Sequence, residues 1–135
     1  MNRDIFLNKR RSLQACLSRV REKWDGGSGS LKDLDRQEII LLNLQRACEI
    51  SIDLAMHAIA AQSLGIPQDS RDAFRILREA GWIGDDLCRR MQNMVGFRNI
   101  AIHQYQDVNI EVVAAILEQH LPDFENFLDA LKVRL

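Results

Sequence analysis

The sequence predicts an all-α protein, an antiparallel bundle of four to five helices joined by short loops. Two observations lead there. Apolar residues recur at spacings of three and four along most of the chain, the period of an α-helix buried on one face. Aromatic residues make up only 6 % of the sequence and there are 2 prolines, while Leu, Ile, Ala and Arg abound, so helix is favoured over sheet.

The first helix is expected from about Arg3 to Trp24. Leu13, Leu17, Val20 and Trp24 form its apolar stripe, with Phe6 one heptad earlier. Arg10, Arg11, Arg19, Arg21 and Lys23 make the other face basic, which reads first as a solvated surface and second as a nucleic-acid or partner patch. Asp25-Gly26-Gly27-Ser28-Gly29-Ser30 breaks the helix and is the most flexible composition in the chain.

A long second helix should run from about Leu34 to Leu64, opened by Asp35 and Glu38 in a capping-box spacing. From Ile39 to Ile59 its apolar residues go almost all the way round, so it belongs in the centre of the fold or inside an oligomer. Glu49, Asp53 and His57 lie four apart along one line. A polar seam or dimer contact is the plainer reading of that line, and a catalytic or metal-binding row is the alternative. Gly65-Ile66-Pro67 should end the helix. Ser70 is expected to cap a short third helix, Arg71 to Ala80, stopped by Gly81.

Asp85 should cap the fourth helix, which carries Leu87, Met91, Met94 and Val95 into a polar cluster at 96–105. Asp107 or Asn109 caps a fifth. There Ile110, Val113, Leu117, Leu121, Phe124, Leu128 and Leu131 step at near-heptad spacing, with a kink expected at Pro122 near His120. His120 itself reads as an isolated surface residue.

At 135 residues the chain is expected to be one domain, 1–135, burying roughly 65–70 % of its unfolded surface. A composition of 47 % hydrophobic and 27 % charged residues is that of an ordinary globular protein. The net charge of −1 gives no global attraction to nucleic acid, so any such contact needs a local patch. Cys16, Cys48 and Cys88 are odd in number and widely spaced, which fits buried thiols in a reducing compartment. No run of 18 apolar residues and no signal-peptide pattern appears, so a cytoplasmic protein away from the membrane is expected. P-loop, dinucleotide and zinc motifs are missing too, and neither cofactor nor metal is expected.

The densest chemistry is Gly96-Phe97-Arg98-Asn99-Ile100-Ala101-Ile102-His103-Gln104-Tyr105. With Arg98 at 0° and about 100° per residue, Tyr105 falls near −20°, Asn99 near 100° and His103 near 140°. Leu87, Met91, Met94 and Val95 fall between about −40° and 60°, so Arg98 and Tyr105 leave the helix on its apolar side. A guanidinium there is costly unless it is paired or meets an anion. Either it pairs with a carboxylate such as Glu49 or Asp53, or it binds a ligand; periodicity does not choose.

The chemistry on offer suits phosphate: Arg98 supplies a fork of donors, His103 moves protons near neutral pH, and Asn99 orients. With no carboxylate cluster for a divalent ion, the fitting reaction is metal-independent RNA cleavage by the ribose 2′-OH. The motif supplies one histidine per chain, His103, which makes a symmetric dimer an attractive source of the second acid–base group.

Arg98-Asn99-(three residues)-His103-Gln104-Tyr105 resembles the Arg-x4-His-x-Tyr signature of the HepT-like toxins of the HEPN superfamily. Gly96-Phe97, Val108-Asn109-Ile110 and the helix order are similar as well, over essentially the whole chain. The resemblance implies a HEPN-like bundle and a homodimeric ribonuclease toxin of a type VII toxin–antitoxin pair, with RNA as substrate. It implies Arg98 and His103 as catalytic residues and Asn99 as their support; Glu49 and Asp53, from the reading of the residues themselves, are the candidate supporting groups. It further implies a cognate MntA-like nucleotidyltransferase antitoxin that transfers AMP to Tyr105. An adenylyl group beside Arg98 would block the phosphate site. The competing reading is a non-catalytic helical partner that binds nucleotide or presents substrate to such a nucleotidyltransferase.

Overall fold

The computed structural model describes residues 1–27, 29–103 and 109–135, without the side chains of Ile102 and His103. The described residues form five helical rods and no strand. They are α1 (Arg3–Lys23), α2 (Leu34–Ala61), α3 (Ser70–Glu79), α4 (Asp85–His103), and a last rod made of α5 (Ile110–Ala115), a π-helical turn (Ile116–His120) and α6 (Leu121–Lys132). The expected all-α bundle is what forms.

Each boundary has a local cause. Asn2 Oδ1 accepts from Asp4 N at 2.7 Å to start α1. The Asp25 carboxylate gathers the glycine-rich link, accepting from Gly27 N and Ser30 N, each at 3.0 Å. Those hydrogen bonds hold its pKa below the usual carboxylate value, the Gly27 N–H contributing most. The cap of α2 is Asp33, which accepts from Asp35 N and Arg36 N, so the Asp35/Glu38 capping box does not form. Likewise Asp69, not Ser70, caps α3, and Ser70 is its first residue. For α4 the Gly84 carbonyl accepts from Cys88 N at 3.0 Å and Asp85 is already helical. Asn109 caps α5 through Glu111 N at 2.8 Å, whereas Asp107 lies outside the described residues.

Two helix ends are sharp. Gly81 stops α3 as expected, at φ 79°, with Trp82 N bonding Leu77 O and Gly81 N bonding Arg78 O, each at 2.9 Å. The same closure ends α2 three residues before Leu64, because Ser63 takes the left-handed position (φ 51°) and Leu64 N bonds Ile59 O at 3.0 Å.

Helix α2 is central: α1, α3, α4 and α6 all pack on it. It buries Ile40, Leu44, Ala47, Leu54, Ala55, Ala58 and Ile59 almost completely, and leaves Leu42 on the surface. Phe74 of α3 meets Phe127 of α6 edge to face, ring centroids 5.4 Å apart, which ties the short helix to the last rod. All three cysteines are free and buried, as expected. On α1 the basic face is partly paired at the surface, through Arg19 with Glu22 and Arg21 with Glu125.

The irregularity expected near Pro122 is the π-helical turn at Ile116–His120. Pro122 offers no N–H, and its ring crowds the carbonyl four residues back, at Glu118; widening the helix by one residue accommodates both. His120 is not isolated. Its Nδ1 lies 3.0 Å from Oδ2 of Asp123, whose side chain is only 2 % exposed and whose Oδ1 accepts from Arg90 at 3.3 Å. A buried carboxylate needs such partners, and His120 is held against the core to supply one.

Candidate active site

Helix α4 crosses α2 and α3, and on that side it carries Arg98. The Arg98 side chain is 16 % exposed. Its Nη1 donates to Glu49 Oε1 on α2 at 2.6 Å and its Nη2 donates to Ser70 Oγ on α3 at 3.2 Å. Three helices thus fix one guanidinium. Its Nε is buried and meets no acceptor among the described residues.

The alternative left open by periodicity is resolved in favour of Glu49. Asp53, one turn further along α2, pairs instead with Lys9 of α1 at 3.3 Å, and His57 is exposed. The line Glu49–Asp53–His57 therefore does not act as one unit: only its first member reaches Arg98. Among the described residues no three His, Cys, Asp or Glu side chains gather to hold a metal ion.

Beside Arg98 lies a cavity of about 180 Å3, lined by Asp69, Ser70, Arg71, Val95, Arg98 and Asn99. Asn99 is exposed at its mouth. From the sequence Ser70 is expected only as a helix cap, and Arg71 is not expected at the site, because a charged residue just after a helix cap ordinarily reads as solvated. Arg71 lies along α4: its Nε donates to the Gln92 carbonyl at 3.4 Å, and Gln92 Nε2 donates back to the Arg71 carbonyl at 3.2 Å. A Cβ on Gly96 would stand 2.6 Å from Arg71 Nη2. The helix lacks a side chain where the guanidinium passes.

The signal in the sequence was Gly96 itself. A glycine inside a helix costs roughly 1 kcal/mol against alanine and points to a close approach.

On the other side of α4 a cavity of about 440 Å3 runs between Met94, Phe97 and Ile100 and the last rod at Val112, Ile116 and His120. It is lined largely by carbon.

Buried behind Arg98 on α2 is the Cys48 thiol, whose pKa desolvation pushes up to about 12, against a small opposing pull from Arg98. It stays protonated and offers no nucleophile. Of the residues singled out from the sequence, Arg98, Asn99 and Glu49 converge and Asp53 stands apart. The His103 side chain and all of Tyr105 lie outside the described residues.

The arrangement can hold an anion. Two guanidiniums, an amide and a hydroxyl border one small cavity, and the Arg98 fork matches a phosphate.

Comparison with known proteins places the chain in a family. The family model Ribonuclease HepT-like matches residues 13–131. The mRNA nuclease HepT of Shewanella oneidensis is 42 % identical over 129 residues, covering 96 % of this chain and 97 % of that protein. Among solved structures, a tri-AMPylated HEPN toxin of Shewanella oneidensis in complex with MNT antitoxin superposes with a TM-score of 0.91 at 42 % identity, covering 98 % of this chain and 99 % of that one. A toxin–antitoxin structure with AMP-PNP gives a TM-score of 0.92 at 41 % identity, over 96 % of this chain and 98 % of the other. With a family model across most of its length and a relative this similar end to end, the chain is a member of the Ribonuclease HepT-like family.

Proposed function

We propose that this protein is the toxin of a toxin–antitoxin pair, an endoribonuclease that cuts RNA without a metal and is silenced by adenylylation. The observation that carries the reading is Arg98: a guanidinium held by Glu49 and Ser70 at the edge of an open polar cavity. The relatives named above as an mRNA nuclease and as an AMPylated toxin bound to an antitoxin support the same reaction and partner.

In this scheme the phosphodiester sits on Arg98, which stabilises the charge that develops on the phosphoryl oxygens. The ribose 2′-OH attacks its own phosphorus, the bond to the 5′-oxygen breaks, and one proton leaves the 2′-oxygen while another reaches the leaving oxygen. His103 carries one of those protons. Asn99 orients the substrate or the histidine, and Glu49 steadies Arg98. A homodimer supplies a second His103 for the other proton.

Tyr105 is the acceptor for AMP from an MNT-class nucleotidyltransferase, and the added phosphate occupies the place of RNA. The whole chain, 1–135, works as one domain. No helix among the described residues is long and apolar enough to cross a membrane. An RNA substrate supports a cytoplasmic location.

The test is expression of the wild type alone, beside Arg98→Ala and His103→Ala. The wild type should arrest growth and degrade RNA, with each variant at least about 100-fold slower in vitro, the loss typical when one donor to a developing oxyanion is removed. Equal harmlessness of all three, with no cleavage in vitro, overturns the enzyme. Intact mass after co-expression with the nucleotidyltransferase tests the regulation: the AMP increments should vanish in Tyr105→Phe, and their persistence there moves the modification elsewhere.

A further inference from the structure

We propose that Arg71 is a second phosphate-binding residue of this cleft, gripping an RNA phosphate next to the one held by Arg98. The inference rests on the ribonuclease reading and deepens it.

Arg71 and Arg98 come from different helices, α3 and α4, yet line the same cavity. Its volume, about 180 Å3, is several times the ~30 Å3 that one water takes in the liquid, which leaves room for a phosphodiester. The two arginines differ in how their charge is answered. Arg98 has the Glu49 carboxylate at 2.6 Å, whereas among the described residues Arg71 makes no ion pair and contacts only the Gln92 carbonyl. Asp69 also borders the cavity, but its Oδ1 accepts from Asp72 N at 2.8 Å, so that oxygen is engaged as the cap of α3.

The placement of Arg71 is built rather than incidental. Gln92 holds its backbone through Nε2, and the bare Cα of Gly96 makes the channel in which its guanidinium lies. Arg71 is exposed, yet its side chain lies along α4, with Nε donating to the Gln92 carbonyl. A chain of linked phosphates that enters the cavity meets both Arg98 and Arg71, each with donors to spare.

The test uses the purified full chain and a single-stranded RNA whose 2′-hydroxyls are methylated, so that it binds without being cut. Its affinity is measured across a range of KCl for wild type, Arg71→Ala, Arg71→Lys and Gly96→Ala. Arg71→Ala should bind about tenfold more weakly, and its log–log salt dependence should be shallower by about 0.7, one single-strand phosphate contact. Arg71→Lys should recover part of the affinity and the full slope, because the charge remains and the fork is lost.

Gly96→Ala keeps the arginine but pushes its guanidinium out of the channel, and should weaken binding in the same direction. It suits helix propensity, and the displaced atom is the tip of a flexible side chain, so it tests the idea even if Arg71→Ala folds poorly. A wild type that binds and cuts RNA, with unchanged affinity and slope in Arg71→Ala and Gly96→Ala, overturns the role of Arg71 and leaves the ribonuclease standing. A wild type that neither binds the methylated strand nor cuts the unmodified one overturns both.

Discussion

Two cavities flank α4. The one of about 440 Å3 lies against the last rod and is walled by Met94, Phe97, Ile100, Val112 and Ile116; the one of about 180 Å3 lies against α3 and is walled by Ser70, Arg71, Arg98 and Asn99. Phe97 and Arg98 are consecutive, so a single peptide step separates the carbon wall from the charged one. In the larger space most of the wall is carbon, although Arg90, Asn93, Asn109 and His120 also border it. In the smaller, donors from two helices converge on one point. The proposed chemistry therefore follows the convergence of polar groups, not the size of the space.

The sharpest way to break this contrast is to damage each side separately. Phe97→Ala removes a side chain 7 % exposed and should cost about 3–4 kcal/mol of stability by urea unfolding, while cleavage per folded molecule falls far less than in Arg98→Ala. Cleavage lost at full stability would show that the apolar wall takes part in the chemistry.

Glu49→Gln works on the other side, keeping an acceptor for Arg98 but removing the charge. An ion pair becomes a hydrogen bond from a charged donor to a neutral acceptor, so stability should drop by about 1 kcal/mol. Binding of uncleavable RNA should tighten roughly threefold to tenfold, about 0.7–1.4 kcal/mol, because no carboxylate competes for the guanidinium. Turnover should fall, because the neutral amide tethers Arg98 less firmly than the carboxylate. Weaker binding in this variant would make Glu49 a direct contributor to RNA affinity instead of a competitor.

The smallest effect concerns the thiols, and it is confined to alkaline solution. Burial raises the pKa of Cys16, Cys48 and Cys88 in the folded chain, that of Cys48 to about 12. Unfolding returns each to its ordinary value near 9.0, where thiolate forms more readily. The folded state thus holds its thiol protons more tightly. Their contribution to stability is complete below about pH 9 and declines as pH rises from there toward 12. Urea midpoints between pH 7 and 10.5 should show this, and replacing Cys48 with Ala should flatten the alkaline decline. A midpoint that rises with pH in this range contradicts it.

How much of this was legible in the residues depends on the range of the interaction that decides it. Helix identity is local, and the stripe Leu13–Leu17–Val20 or the all-round apolar run of α2 announced it. Where two capping groups compete, α3 starts one residue early, with Asp69 and not Ser70 as its cap, while α2 starts at the expected Leu34 with Asp33 rather than Asp35 as its cap. The salt bridge of Arg98 was half legible. Glu49 and Asp53 present the same charge on the same face of α2, and the height at which α4 crosses it selects between them. That height is set by packing across three helices, and no period encodes it. Arg71 was hidden for the same reason, although Gly96 marked the spot. His120 and Asp123, at i and i+3 on one rod, could have been paired from spacing alone.

The π-helical turn at Ile116–His120 has a further effect on α6. One extra residue in a helix turns everything beyond it by about 100°. The apolar steps of the last rod absorb this as two successive fours, Val113 to Leu117 to Leu121, before α6 resumes with Phe124, Phe127, Leu128 and Leu131 all buried. The turn acts as a phase shifter, rotating α6 so that its stripe meets α2 and α4 rather than solvent. Deleting one residue between 116 and 120 would give a more regular helix and a worse protein, with Phe127 swung away from Phe74 and the buried Asp123 carried off from both Arg90 and the core.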